Sequence, residues 1–395
     1  MNRKSFLVLL ALVAVLGGIG LGLFWKDLGA WRNSDAKIGA KLFDKLAVND
    51  ITGIKLTDGK DSVSLAIKDK HWVVEQRNGY AANNQDIGDL LIKLTDLKVV
   101  QTEAVGDSLL PRLNLVDPAK VDAKDAKSVE AAGTRLELLD KSGKVAGTLL
   151  LGKKVIKTED SPLPIKPQTP VGRYVLSPAS ATVLVVSDAL VVAEANPARW
   201  LAKNFFKADR IRTLSSGGDA AWKIARPEEY GQWKFADGGG ELDASAAVGA
   251  VNALAGLAFS DIALDVKPDS LDKPRTFVAD TYDNLVYTIK VAKKADSDDY
   301  FLTVAISGEA PRQRTPEKGE KAEDKERLDK QFSETLAKLD ERVKAEKELA
   351  QWTFVVAGKT LEPVLKTRAD LIAKPRKPGG GMPPGMPPGM FPGMR

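Results

Sequence analysis

Two widely separated stretches of this chain are written in the same grammar, and that duplication limits the fold more than any other feature. Trp72 ends a series of strand-like segments and stands 15 residues before Ile87, where a helical pattern begins; Trp233 stands 15 residues before Val248, where a second one begins. In the first copy, Ile51, Ile54 and Leu56 and then Val63, Leu65 and Ile67 alternate with polar residues around Asp58-Gly59. A period of two with such a turn predicts a half-buried hairpin. His71-Trp72-Val73-Val74 adds a third strand, after which Ile87, Leu90, Leu91, Leu94 and Leu97 recur at offsets of three and four. Those offsets place all five on one helix face, which needs an apolar surface to cover.

The second copy opens with strand patterns at 211–214 and 221–224, and Asp243 stands where a helix N-cap is wanted. Its helix is read through Val248, Val251, Ala255 and Ala258. Leu113-Asn114-Leu115-Val116-Asp117-Pro118 precedes strand patterns at 135–139 and 145–151, as Ser270-Leu271-Asp272-Lys273-Pro274 precedes 276–279, 285–291 and 300–306. The expectation is an α+β chain of two pseudo-equivalent antiparallel sheet-plus-helix lobes. Between them lies a Pro-rich loop at 161–167, a strand at 172–176 and a helix starting at Ser177-Pro178 and ending near Ala195, with the second half beginning at 197.

Ahead of the duplicated body, residues 5–25 form an almost unbroken apolar run behind Arg3 and Lys4. At about 1.5 Å per residue it is long enough for the roughly 30 Å hydrocarbon core of a bilayer. The run predicts an N-terminal transmembrane helix over residues 1–26, contacting lipid through 5–25, with the body exported. Removal as a signal peptide is the alternative, although Gly20-Leu21-Gly22 lies inside the apolar run and not behind it.

The chain holds 58 basic and 53 acidic residues, a near balance that argues against nucleic acid as a partner. It has no cysteine, which excludes disulfides, thiol nucleophiles and cysteine-based metal sites, and its single histidine, His71, would have to carry any imidazole chemistry alone. Next to Trp72 on a strand, His71 should face solvent, while Trp72 and Trp233 read as core elements. Gly238-Gly239-Gly240 lacks the spacing of a phosphate loop, and the pairs Glu228/Glu229 and Asp298/Asp299 lack that of a calcium loop, so all three read as turns. The sequence names no catalytic, cofactor-binding or metal-binding residue, and an enzyme is not expected.

Residues 311–350 are densely charged, yet Leu328, Phe332, Leu336, Leu339 and Val343 keep a narrow apolar stripe, predicting an amphipathic helix that docks on its own lobe, with a coiled-coil contact to a partner or the membrane surface as alternatives. A strand and helix over 351–373 complete the folded part, and the Gly/Met/Pro-rich residues 374–395 read as a disordered tail.

Ile54 and Leu56, the Trp72 strand, the helix from Ile87 to Leu97, the Leu115/Asp117/Pro118 turn, Thr148-Leu149-Leu150-Leu151-Gly152-Lys153 and Arg173-Tyr174-Val175 together resemble the domain-of-unknown-function 4340 family. The resemblance spans roughly residues 40–310 and, more loosely, 352–371. It implies a single-pass protein of a bacterial cytoplasmic membrane, encoded near ABC-type transport components. The expected role is a non-enzymatic extracytoplasmic scaffold or accessory subunit of an ABC-type transport or surface-assembly system, with a permease or auxiliary protein as partner. The alternative is an envelope glycan- or peptide-binding module using a cleft between the lobes. The domains expected are an anchor (1–26), a first repeat (38–155), a connector (156–196), a second repeat (197–310), the charged helix (311–350), a closing strand and helix (351–373) and the tail (374–395).

Overall fold

The computed structural model describes residues 38–44, 46–159, 166–177, 182–218, 221–316 and 319–374. The apolar run at 5–25 and the tail from 375 onward lie outside the described residues. Among those described, no helix is long and apolar enough to cross a membrane. The chain divides into two compact units, the first ending at Ala202 and the second beginning at Lys203.

The first unit is a nine-stranded antiparallel sheet with a helix. Strands β1 (Ile51–Thr57), β2 (Ser62–Lys68), β3 (His71–Val74) and the short β4 (Tyr80–Ala81) lead to helix α1 (Asn84–Asp96) and strand β5 (Val99–Glu103). After the short helix α2 (Ala126–Ala131) come β6 (Thr134–Asp140), β7 (Val145–Thr158), β8 (Gln168–Leu176) and β9 (Val183–Val186). The spatial order is β4-β3-β2-β1-β6-β7-β8-β9-β5. The alternation read from the sequence sets which face is covered: Ile54, Leu56, Val63, Leu65, Leu136, Leu138 and Leu149 are all buried. Helix α1 starts where the Asn83 side chain accepts the Gln85 and Asp86 N–H groups, and it buries Ile87, Leu90, Leu91 and Leu94, with Leu97 beyond its end also buried.

The second unit contains β10 (Ile211–Ser216), β11 (Trp222–Ala225), β12 (Lys234–Phe235), α3 (Ala244–Ala255), β13 (Asp261–Ile262), β14 (Arg275–Thr281), β15 (Leu285–Lys293) and β16 (Asp299–Gly308). Helix α4 (Ala322–Lys347), strand β17 (Phe354–Ala357) and the one-turn helices α5 (Gly358–Leu361) and α6 (Arg368–Leu371) follow. Its sheet runs β12-β11-β10-β14-β15-β16-β17-β13. Strand for strand, this is the order of the first sheet without β4.

The likeness extends to irregularities. Between Ile51 and Gly53 the pairing of β1 with β6 slips by a residue, and between Ile211 and Thr213 the pairing of β10 with β14 slips in the same way. The helix caps Asn83 and Asp243 each accept two backbone N–H groups. Most telling is how each unit closes. Asn83 N–H donates to the Trp200 carbonyl at 2.7 Å and Ala202 N–H to Ala81 at 2.9 Å; Asp243 N–H donates to Leu371 at 2.9 Å and Ala373 N–H to Glu241 at 2.9 Å. Each unit therefore ends by clasping the start of its own helix.

Four expectations change. The helix read from Ser177 to Ala195 is instead strand β9 over its described middle; Val183, Leu184, Val185 and Val186 are all buried between β8 and β5. A short aliphatic run covered on both faces has no period to separate strand from helix, and its β-branched residues favour the strand. The second half does not begin at 197, because the 3-10 turn Pro197–Trp200 belongs to the first unit's clasp, and the 156–196 connector supplies two strands of the first sheet. The buried face of α3 is Ala246, Ala247, Ala250 and Leu254, with Val248 46% exposed, so the Val248 register is displaced by one residue. The structural counterpart of Ile87 is Ala247, and small side chains hid the true face from a reading that followed the largest residues.

The charged segment is a helix, α4, inserted between β16 and β17, and its C-terminal end docks on its own unit. Val343 and Glu346 are buried there. The Glu346 carboxylate accepts the Tyr287 hydroxyl at 2.9 Å and the Lys207 N–H at 3.1 Å, and burial raises the pKa of both Glu346 and Tyr287. Arg342 pairs with Asp209 at 3.0 Å. Further up, Leu328, Phe332, Leu336 and Leu339 are half-buried, and the preceding loop folds back through Arg314, which pairs with Glu320 and Asp329.

The alanine face of α3 gives a direct test of register. Replacing Ala247 by Leu inserts volume into a packed face and is expected to lower unfolding free energy by about 1–3 kcal/mol. Val248→Ala, on the outer side, is expected to change it by no more than about 0.5 kcal/mol. Urea unfolding of both variants measures the contrast.

Candidate functional site

Two segments that carry the family resemblance lie apart in sequence but meet in the first unit. The Leu115-Val116-Asp117 turn, Thr148 and Leu150 of β7, and Leu176 of β8 line one cleft of about 430 Å3, together with Leu110, Pro111 and Arg135. Beneath it Leu115, Leu150 and Val183 form a buried cluster, against which Val105, Leu110, Leu113, Tyr174 and Leu176 pack. The floor is therefore aliphatic. The rim is charged, with Asp107 and Lys120 at the opening and an Arg135–Asp117 ion pair on the wall.

Local chemistry fixes the turn that supplies Asp117. Its side chain accepts the Ala119 N–H at 3.0 Å, capping the 3-10 turn Pro118–Lys120, and also receives the Arg135 guanidinium. One carboxylate thus ties the turn to strand β6. Asn114, at φ 51°, reverses the chain just before it. The turn lies so close to β7 that a Cβ on Gly152 would come within 2.5 Å of the Leu113 carbonyl oxygen and 2.7 Å of Leu115. Glycine is the residue that permits this approach.

Arg173 braces the same region from below. It is 7% exposed and donates from Nε to the Gly152 carbonyl at 2.8 Å and from Nη1 to that of Leu190 at 3.2 Å. Burial pulls its guanidinium pKa down to about 10, opposed by the charge of Glu194. A buried cation donating to backbone carbonyls holds the 187–195 loop against β7 and β8, which stabilises the cleft's frame instead of offering a reactive group.

A family model described as "Domain of unknown function (DUF4340)" matches residues 72–274, just over half of the chain. The chain belongs to that family. The match starts at Trp72 on β3 and ends at Pro274, just before β14, so it takes in α1, the cleft turn and α3. No curated protein and no solved structure matches the chain.

The other residues singled out from sequence fall elsewhere. Trp72 and Trp233 are half-buried, whereas among the described residues the buried indoles are Trp200, donating to the Glu194 carbonyl at 2.7 Å, and Trp222, donating to that of Lys366 at 2.9 Å. Trp72 sits on β3, flanked on its outer side only by the two-residue β4, and Trp233 next to β12, the edge strand of its sheet; each is half-buried. Arg226 lies 4.9 Å from the Trp233 ring centre and 5.8 Å from that of Tyr282. His71 is exposed, and Gly238-Gly239-Gly240 is a loop whose Gly239 carbonyl accepts Arg368 at 2.6 Å. Glu229 makes a two-oxygen pair with Arg210 at 2.7 and 2.8 Å, which lowers its pKa. Asp298 lies 3.7 Å from Lys293. Among the described residues, no group of three His, Asp or Glu is placed to hold a metal ion.

The contribution of Arg173 and the Arg135–Asp117 pair was missed by sequence reasoning, because each acts across a long separation. The one local signal is an arginine inside an otherwise apolar strand, Gly172-Arg173-Tyr174-Val175, which calls for a buried acceptor.

Gly152→Ala is expected to lower stability by about 1–3 kcal/mol, because the backbone carbonyl it meets cannot yield without moving the cleft turn. Gly88→Ala in α1 meets nothing within 4 Å and should instead stabilise by up to about 1 kcal/mol. Denaturant unfolding of the pair measures both signs.

Proposed function

We propose that this protein is a non-enzymatic, membrane-anchored extracytoplasmic scaffold or accessory subunit of an ABC-type transport or surface-assembly system. The observation that carries the reading is the first-unit cleft: an aliphatic floor of Leu110, Leu115, Leu150 and Leu176 under a charged rim, with Leu115, Asp117, Thr148 and Leu150 drawn from the segments that carry the family resemblance. Such a surface suits an apolar side chain of a partner, held in register by the charges around it. The repeated frame supports the same reading. Two units of one strand order carry different additions, a long β7–β8 hairpin in the first and helix α4 in the second, as expected when a stable frame presents distinct contacts. The apolar run at 5–25 would hold this body at the bacterial cytoplasmic membrane, and the transport link rests on the family resemblance.

A second reading, an envelope glycan- or peptide-binding module, is favoured by the Trp233–Arg226–Tyr282 cluster. Quenching of tryptophan emission by cell-wall fragments, lost in Trp233→Ala, would support it; unchanged emission would remove it.

For the scaffold reading, crosslinking in native membranes followed by purification should recover a permease or auxiliary protein with the chain. Lys120→Glu, on the exposed charged rim of the cleft, is expected to reduce that recovery about tenfold or more, equivalent to at least ~1.4 kcal/mol, while leaving the unfolding transition in place. Recovery of the wild-type chain only as a lone monomer would contradict the reading.

A further inference from the structure

Comparison of the two units isolates one element that neither sheet needs. In the second unit, β16 is accompanied by β17 from its first residue, Asp299 opposite Ala357, and the β15–β16 turn follows at once. In the first unit the equivalent hairpin continues. Strand β6 stops pairing with β7 at Leu151, and β9 stops pairing with β8 at Arg173. Beyond those points Lys154 to Thr158 pair only with Gln168 to Arg173, and one further rung joins Glu159 N–H to Pro167 at 3.0 Å. The result is a two-stranded arm with both edges open. Its outer residues bury almost nothing: Ile156 and Val171 are each 46% exposed, and Lys153, Lys157, Thr158, Gln168, Thr169 and Pro170 are also exposed. A two-stranded ribbon contributes little to a core and is marginal in water by itself.

Its chemistry selects among contacts. Residues 153–171 hold four lysines, Lys153, Lys154, Lys157 and Lys166, against Glu159 and Asp160. Among the described residues, none of Lys153, Lys154 or Lys157 enters a salt bridge. Lysines along β7 and a proline at 170 in β8 are the features that prevent another strand from adding to an open edge. Strand addition is thereby disfavoured, and what remains is a surface of opposite charge that also accepts aliphatic side chains.

We propose that the β7–β8 arm is a lipid contact that docks on anionic headgroups, its lysines meeting the phosphates and the exposed Ile156 and Val171 entering the interface. The inference deepens the anchored reading by adding a second point of contact with the bilayer, one that depends on lipid charge.

The chain has no cysteine, so Ile156→Cys accepts a single environment-sensitive dye in the full-length protein. The labelled protein is mixed with vesicles of phosphatidylcholine and with vesicles containing added phosphatidylglycerol. Flotation with either vesicle reports the anchor, whereas the dye reports the arm. The expected result is a several-fold rise and blue shift of emission with the anionic vesicles alone, weakened by salt. A dye on Val145→Cys, at the opposite end of β7, should not respond. Exchange of Lys153, Lys154 and Lys157 for glutamate should abolish the response without moving the unfolding transition. Equal emission on both vesicles, or a response to polyglutamate with none to anionic vesicles, would overturn the proposal, the latter by assigning the arm to an acidic protein.

Discussion

Each half of this protein is closed by a clasp in which the last residues of the unit hydrogen-bond to the backbone around the first turn of its helix. In the first unit Trp200 and Ala202 meet Asn83 and Ala81; in the second, Leu371 and Ala373 meet Asp243 and Glu241. These are contacts across more than a hundred residues, and they put a fully buried side chain, Trp200 or Leu371, against the start of the helix. Closing such a loop costs chain entropy that the local hairpins do not recover by themselves. The return of the chain end therefore depends on the side chain it buries and on the helix cap it satisfies. The N-cap residues Asn83 and Asp243 have two tasks: their side chains start the helix, and their backbone N–H groups hold the clasp.

Once both ends are fixed, the interiors can differ. The first helix presents Ile87, Leu90, Leu91 and Leu94 to the core, whereas the second presents Ala246, Ala247, Ala250 and Leu254. The second unit also packs a group of rings, Phe205, Phe206, Phe259 and Phe354, in tilted and edge-on contacts at centroid distances of 4.6 to 5.1 Å. Additions follow the same logic. The arm and helix α4 each interrupt a connection between neighbouring strands and leave the strand order unchanged.

Elements with a strong period were legible from the sequence. The β1–β2 hairpin, the third strand, α1 and the strands of the second sheet follow from alternation and from helical spacing of large residues, and the α+β class with its duplication follows from their order. What escaped was set by contacts distant in the chain. Val183 to Val186 are apolar without a period, and only the partners on either side, β8 and β5, make them a strand. The clasp residues at 197–202 carry no pattern that marks them as the end of one unit instead of the start of the next. The cleft was legible only in its pieces: Leu115, Asp117 and Leu150 stood out separately, but the Arg135–Asp117 pair and the Arg173 brace that assemble them join positions many residues apart. The apolar run at 5–25 and the tail from 375 fall outside the described residues.

The duplicated frame depends most directly on the clasp being formed twice. Amide hydrogen exchange followed residue by residue on the full chain tests this at Asn83, Ala202, Asp243 and Ala373. The duplicated frame predicts slowed exchange at all four, in step with the strands of the same unit. Exchange at the rate of an unstructured peptide in either pair, while that unit's strands stay protected, would contradict it.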